Sequence, residues 1–450
     1  MSKACLLKFR ILVVGKSGVG KSSLINHAFS VDVATVSHKT PGKCDINVEI
    51  KSSQNDRFVL HDSQGFEAGE TTTLETVKQF IRSRSGSNVD IKDRVHAIWL
   101  CIQIPVTGAR VFETGDEEFL KFIKNSGEIP MVVVFTQFDS LVSYIVMNLT
   151  DEELDSIAEI TKFGAQKADI QFDEICLKPL RNLAPKLPHT SAKTSVKPAY
   201  RKTLADLIEK TQTLVQNHVE GDVWIVSAMA QRASVQAKID SSIQVGMKQY
   251  WSSLASSTNL VGWSLEECLN ILHRDITLCW NFFDPGDLLN SKEFRERVLI
   301  LAQLATPETT ADGKSWFNDM DKVQTLMGFA IIGAAVPALG AISLTGTALR
   351  WTTRIYQQTP EVLRCLMAYV IDLTLVMDIL FLDTLALHPP RRLTKVLIDS
   401  ACEQYRENSA VKVHHGIREY VNKSTWSYIL KANNAEEKMI ELIKKHCRVI

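Results

Sequence analysis

The sequence predicts a three-layer α/β domain with a mostly parallel sheet, followed by an all-α helical domain. Three observations carry this expectation. Apolar, β-branched runs alternate with helix-compatible stretches through the first part of the chain. Two of those runs, His96–Ile104 and Met131–Phe135, are apolar almost throughout, as strands buried on both faces of a parallel sheet must be. Beyond about residue 229 the strand signals fade, and apolar residues recur at helical spacing, as in Leu265, Cys268, Leu269, Leu272 and Ile276.

The elements follow in order. Phe9–Val14 is an apolar run that ends at Gly15, and Ser23–Phe29 has helical character. Further strands are expected at Ile46–Ile50, Phe58–His61 and Val223–Val226, besides the two named above. Helices are expected at Thr72–Arg84 and Asp116–Asn125. The segment Ser140–Gly221 reads as an interruption. It opens with a helix at Asp151–Lys167, where Asp151, Glu152 and Glu153 suit the positive end of the helix dipole. The stretch Ala184–Pro198 is rich in Pro, Ser, Thr and Lys and has few core-forming side chains, so a mobile surface loop is expected there. The expected domains are 6–245, with an insert at about 140–221, and a helical domain at 246–450 with an apolar segment at 326–349.

Composition excludes several classes. Lys plus Arg and Asp plus Glu both total 51, so no bulk positive charge points to nucleic acid as a partner. None of the 9 cysteines forms a Cys-x-x-Cys pair, which leaves structural zinc without a ligand pattern and favours free thiols in a reducing compartment. Met1–Leu7 runs almost directly into the first strand, so the N-terminus is expected to be cytoplasmic, without a cleaved secretory signal.

The strongest chemical signal is Gly15-Lys16-Ser17-Gly18-Val19-Gly20-Lys21-Ser22, which fits G-x-x-x-x-G-K-[ST] between a strand and a helix. Glycines let the backbone curl so that N–H groups converge on a phosphate, and the following helix adds its positive end. Lys21 is placed to reach the β and γ phosphates, and the Ser22 hydroxyl to ligate Mg2+. Asp62-Ser63-Gln64-Gly65 fits D-x-x-G, with Asp62 on the metal side and the Gly65 N–H at the γ-phosphate. Thr40 lies in the loop before the strand Ile46–Ile50, and its hydroxyl is expected to complete the metal shell when the γ-phosphate is present; Thr35 is its alternative. Thr136-Gln137-Phe138-Asp139 matches the N/T-K-x-D pattern of GTPases at Asp139, whose carboxylate takes two hydrogen bonds from the guanine edge, but not at Gln137, where a lysine is expected. Ser227-Ala228 follows the expected strand Val223–Val226 and offers a backbone N–H to the guanine carbonyl.

Gly15–Ser23, Thr40, Asp62–Gly65, Thr136–Asp139 and Ser227-Ala228 stand in the order and rough spacing of the GTPase motifs. The chain resembles translation-factor-class GTPases of the Era, septin and chloroplast-import-receptor kind. Val59–Glu67 and Val111–Phe119 also resemble G-domain-containing proteins of mushroom-forming fungi. The resemblance covers about the first 230 residues and implies GTP or GDP as bound nucleotide, with Mg2+.

Charge neutralisation by Lys21 and a metal is in place for phosphoryl transfer, but Phe66 stands where small signalling GTPases carry a water-orienting glutamine. Slow hydrolysis is therefore expected, with Lys21, Thr40 and Gly65 as the catalytic set and help from an activating protein or from a homodimer across the nucleotide face. Arg82, Arg84 and Arg110 are read as surface charges. Two features suggest membrane contact. No formal charge lies between Lys322 and Arg350, and Cys447-Arg448-Val449-Ile450 loosely fits a prenylation box. Val362–Leu387, also apolar, carries Asp372, Asp378 and Asp383 and is expected to be a soluble core helix with its acids at the rim. The expected function is a nucleotide-dependent switch. The alternatives are a non-catalytic GTP-binding assembly module, a membrane-anchored protein with a secondary G domain, and ATP use suggested by Gln137.

Overall fold

The computed structural model describes residues 7–32, 45–63, 71–86, 88–106, 108–126, 129–149, 160–185, 189–219, 223–246, 265–303, 305, 360–423 and 434–448. They fall into two compact units, Leu7–Ala237 with His388–Pro390, and Lys238–Leu387 with Arg391–Ile450.

The first unit is built on a six-stranded sheet: β1 (Phe9–Val14), β2 (Ile50–Ser52), β3 (Asn55–Asp62), β4 (Ala97–Gln103), β5 (Met131–Thr136) and β6 (His189–Lys193). The spatial order is β2-β3-β1-β4-β5-β6. Only β2 is antiparallel to its neighbour. Helices α1 (Lys21–Phe29), α2 (Thr71–Arg84) and α3 (Thr114–Ser126) follow β1, β3 and β4. This alternation buries the central strands on both faces. Every residue of β1 and β5 is buried, so their apolar runs are what parallel packing demands. α3 starts where Asp116 accepts the Glu113 backbone N–H at 3.0 Å, placing a carboxylate in the positive first turn.

Two sequence expectations are corrected here. Val223–Val226 is not a strand; it begins helix α8 (Val223–Ala230), in which every residue is buried. A short apolar run does not by itself distinguish a buried strand from a buried helix. Its packing decides the matter: α8 lies against β1, β3 and α7 (Arg201–His218), and Asn55 Nδ2 donates to Ala230 O at 2.7 Å. The stretch Ala184–Pro198, expected to be a mobile loop, contains β6. That strand pairs with β5 from Met131↔His189 to Phe135↔Lys193. Its stability comes from the backbone ladder and from Lys193, whose ammonium lies 4.2 Å from the Phe138 ring centroid. Apolar patterning therefore gives no sign of it.

A third expectation shifts in register. Within Ile46–Ile50 the strand starts only at Ile50, because Asp45 closes a turn by accepting the Asn47 N–H at 2.9 Å. The segment after β5 holds α4 (Phe138–Met147), α5 (Ile160–Phe172) and α6 (Lys178–Leu183), with a π turn at Asp173–Leu177 joining the last two. Pro179, which has no N–H to give, sits just beyond that turn. The helix expected at Asp151–Lys167 is described only from Ile160; residues 151–159 lie outside the described residues, as do Thr35, Thr40, Gly65, Phe66 and 326–349.

The second unit includes α10 (Leu265–Trp280), α11 (Lys292–Gln303), α12 (Pro360–Leu385), α13 (Lys395–Tyr405), α14 (Val411–Lys423) and α15 (Asn434–His446); α9 (Val235–Gly246) carries the division between the units. α12 is the hub, packed by α10, α11, α13, α14 and α15. Leu363–Leu385 is long and apolar enough to cross a membrane, yet 94% of its most apolar window is buried inside the protein. It is a core helix, as expected. Its acids are not all at the rim: Asp372 and Asp378 are buried, and only Asp383 is half-exposed. Asp372 is satisfied by the Tyr405 hydroxyl and by His414 Nε2 at 2.9 Å, which is how a carboxylate survives in such a place.

Candidate functional site

Gly15, Gly18 and Gly20 all have positive φ, at 141°, 77° and 93°. At Gly15 the reason is contact as well as conformation: a Cβ there would lie 2.2 Å from Cys101 O of β4. The turn is thus forced tight against the sheet, and α1 begins at Lys21. Ser17 and Gly18 at the crest, and Ser22 and Ser23 at the helix start, are exposed, while Val19 is buried beneath. Lys21 Nζ folds back to donate to Gly15 O at 2.8 Å and to Lys16 O at 2.9 Å. Lys16 pairs with Glu113 from the segment before α3.

Asp62 ends β3 beside this loop. It is paired in register with Val13, and the Ser63 N–H donates to Val13 O at 3.2 Å. Burial pushes the Asp62 carboxyl up, and the Lys21 charge pulls it partly back. The two groups therefore share one electrostatic environment. Ser22 and Asp62 supply a hydroxyl and a carboxylate, hard oxygen donors of the kind Mg2+ takes.

The loop after β5 is tied to the same arc. Thr136 Oγ1 donates to Val19 O at 2.7 Å, fixing the end of β5 to the Gly15–Ser22 turn. Gln137 then adopts a left-handed conformation, φ 62°, and α4 starts. Asp139 in its first turn is held by Lys197 Nζ, 2.7 Å from Oδ2. Burial alone would raise the Asp139 carboxyl; hydrogen bonds from Lys197 and Ser195 hold it below the ordinary carboxylate range. Thr194 is stitched into this loop, its N–H donating to Phe135 O at 2.7 Å and its carbonyl accepting from Phe138 N–H at 3.0 Å.

Residues 10–137 match the model of the 50S ribosome-binding GTPase family. The chain carries a P-loop GTPase domain. A second model, a domain of unknown function, matches residues 288–449. No curated protein matches the chain. The GTPase match spans β1 to β5 and ends at Gln137, so β6 and the Asp139 partners Ser195 and Lys197 lie beyond it.

The GTPase domain brings together Gly15–Ser23, Asp62, Thr136 and Asp139. Ser227 and Ala228 do not join them at a strand end: they are buried within helix α8, and the Ser227 carbonyl accepts from Gln231 N–H at 3.1 Å. The strand-end position expected for that pair is filled by Thr194-Ser195-Val196-Lys197 after β6. The available signal was the polar tract Thr190–Lys197, in which Ser-Ala-Lys and Ser-Val-Lys occur four residues apart. Read as a loop, it hid both the strand and its terminal motif. Thr40 and Gly65 lie outside the described residues.

Proposed function

We propose that the GTPase domain binds GTP and GDP with Mg2+, hydrolyses GTP slowly and acts as a nucleotide-dependent switch. The observation carrying this reading is Asp139, aimed by Ser195 and Lys197 on a loop that Thr136 pins to the phosphate-side turn. A carboxylate so held accepts two N–H groups from a guanine edge; adenine presents no such pair.

Each group then has a task. The backbone N–H groups of 15–22 receive phosphate oxygens. Lys21, now held by two carbonyls, exchanges them for β and γ phosphate oxygens. Ser22 and Asp62, with Thr40, would hold Mg2+, which supplies positive charge to the phosphate oxygens. Gly65 offers its N–H to the γ-phosphate. Contacts of Thr40 and Gly65 that depend on the γ-phosphate are the switch. Phe66 cannot orient water by hydrogen bonding, which makes an activating protein or a second copy of the chain the source of faster turnover.

The deciding experiment compares nucleotide content and GTP turnover of the full chain with those of Lys21→Ala. Equal binding by the two would remove the site assignment. Phe66 also favours a second reading, a GTP-binding module that does not hydrolyse; a single-turnover assay showing no phosphate release would select it. The uncharged stretch 323–349 supports membrane association as a separate property, and retention of the full chain on vesicles, compared with a chain lacking 326–349, tests it.

A further inference from the structure

A buried polar relay lies under the phosphate side of the GTPase domain. Arg10, the second residue of β1, is 5% exposed, and His61, next to Asp62, is fully buried. Arg10 Nη1 lies 2.6 Å from Glu49 Oε1 and 2.8 Å from His61 Nε2. On its other side His61 Nδ1 lies 2.8 Å from Ile46 O. A carbonyl only accepts and a guanidinium only donates, so Nδ1 carries the hydrogen and Nε2 receives one from Arg10. The His61 ring also packs on Phe80 of α2, with centroids 4.7 Å apart.

Each contact of the His61 ring comes from an element flanking one of the phosphate-side segments. Arg10 is on the strand that runs into Gly15. Ile46 and Glu49 follow the segment that contains Thr40. His61 and Phe80 bracket the segment that contains Gly65. One imidazole thus touches the supports of all three. A leucine at this strand position would serve burial alone; the ring is used at both nitrogens.

We infer that His61 is a positioning residue, a hub that couples Asp62 at the end of β3 to Arg10 and to the segment 45–50, so that these described elements respond to the metal-bound nucleotide together. This rests on the proposed nucleotide reading. It is separate from nucleotide recognition itself, because Arg10, His61 and Glu49 lie outside the phosphate loop and the Asp139 loop.

The test uses the full chain as wild type, His61→Leu, His61→Asn and Glu49→Gln. Two quantities are read: release of a fluorescent GDP analogue with Mg2+ and in excess EDTA, and hydrogen exchange of the amides at 45–50. In His61→Leu, release with Mg2+ accelerates about tenfold, the effect of losing roughly one hydrogen bond's worth of coupling. Release in EDTA stays within about twofold, and amide protection at 45–50 falls. Asn, which keeps one donor and one acceptor, restores part of both, and Glu49→Gln gives a smaller shift in the same direction. Loss of amide protection with Mg2+-dependent release unchanged would overturn the coupling and leave a merely structural residue. If His61→Leu does not fold, an unchanged Mg2+ effect in Asn and Gln variants overturns it equally. Failure of the wild type to bind the GDP analogue would overturn the nucleotide reading, and the coupling with it.

Discussion

Lys197 Nζ lies 2.7 Å from Asp139 Oδ2, across the junction between the end of β6 and the first turn of α4. The ammonium side chain is 62% exposed and the carboxylate 12%, so a buried acid is held by a cation that reaches it from the surface. The prediction is a change of base preference. Asp139→Asn loses about 10- to 100-fold in GDP affinity, the scale of charge-assisted hydrogen bonds, and gains relative affinity for xanthine nucleotides, whose edge offers an acceptor. Lys197→Ala loses less, because Ser195 still holds Asp139. Competition of unlabelled GDP, XDP and ADP against a fluorescent GDP analogue reads all three. An Asp139→Asn protein with unaltered preference would show that this carboxylate does not meet the base.

Gly15 has a different sensitivity. Its Cβ position lies 2.2 Å from a backbone oxygen, Cys101 O, and β4 is held by neighbours on both sides. Neither strand can move without breaking a ladder. Gly15→Ala is expected to cost about 2–4 kcal/mol of stability, from overpacking plus an unfavourable positive φ. Gly18→Ala, with open space at its Cβ, costs about 1 kcal/mol, from φ alone. Thermal unfolding of both variants without nucleotide gives the comparison, and equal losses would contradict the packing argument.

What could be read in advance divides along a physical line. β1, β4 and β5 announce themselves because parallel central strands must be apolar on both faces, and Gly15–Ser22 because a phosphate-binding turn demands glycines at fixed places. Asp139 was legible from its offset after β5. β6 was not, since an edge strand made of His189-Thr190-Ser191-Ala192-Lys193 is held by backbone hydrogen bonds and a cation over two aromatic rings, interactions that leave no hydrophobic period. α8 was misassigned for the opposite reason. Its eight residues are all buried, so amphipathic spacing is erased. Losing β6 also lost Ser195 and Lys197, and the strand-end role passed to Ser227-Ala228, which the fold puts inside a helix. The Arg10–His61–Glu49 relay has no sequence signature at all, because its members meet only once β1 and β3 have paired and the turn before β2 has closed over them.

The helical unit carries a pH signature. Burial raises Asp275 to about 7, with Arg274 opposing, and burial raises Asp378 to about 6, with the Arg448 N–H opposing. For an acid raised above its ordinary 3.8, the folded state holds the proton more tightly than the unfolded state. Stability is therefore greatest below about pH 4 for these groups and falls as pH rises towards 7, by up to about 1.4 kcal/mol per pH unit for each group. Asp275→Asn removes its share of the slope. It is expected to be near neutral at pH 4 and stabilising at pH 8. Denaturant unfolding of wild type and variant at pH 4, 6 and 8 tests this, and a difference independent of pH would show that Asp275 is not a buried, protonated acid.

The last prediction concerns the geometry that lets Tyr405 and His414 meet on Asp372. Nine residues at about 100° each would put the two side chains on opposite sides of a regular helix. Between them Arg406–Ala410 forms a π turn, which absorbs about one residue and leaves the flanking faces related as if eight residues apart, roughly 80°. Both side chains then reach the same buried carboxylate. Deleting Asn408, which is exposed, should close the turn to α geometry while both contacts remain, at a cost of about 1 kcal/mol or less. Inserting an alanine after Asn408 turns α14 by about 100°, takes His414, Val413 and Ile417 out of the core and strands Asp372 with one partner. The expected loss exceeds about 3 kcal/mol, from core side chains turned out to solvent and a buried polar group left short of a partner. Tyr405→Phe, which removes one donor and leaves the backbone alone, should fall between them at about 1–3 kcal/mol. Unfolding midpoints of the three full-length variants decide the order. A deletion as damaging as the insertion would mean that the π turn itself, rather than the phase it sets, holds the network together.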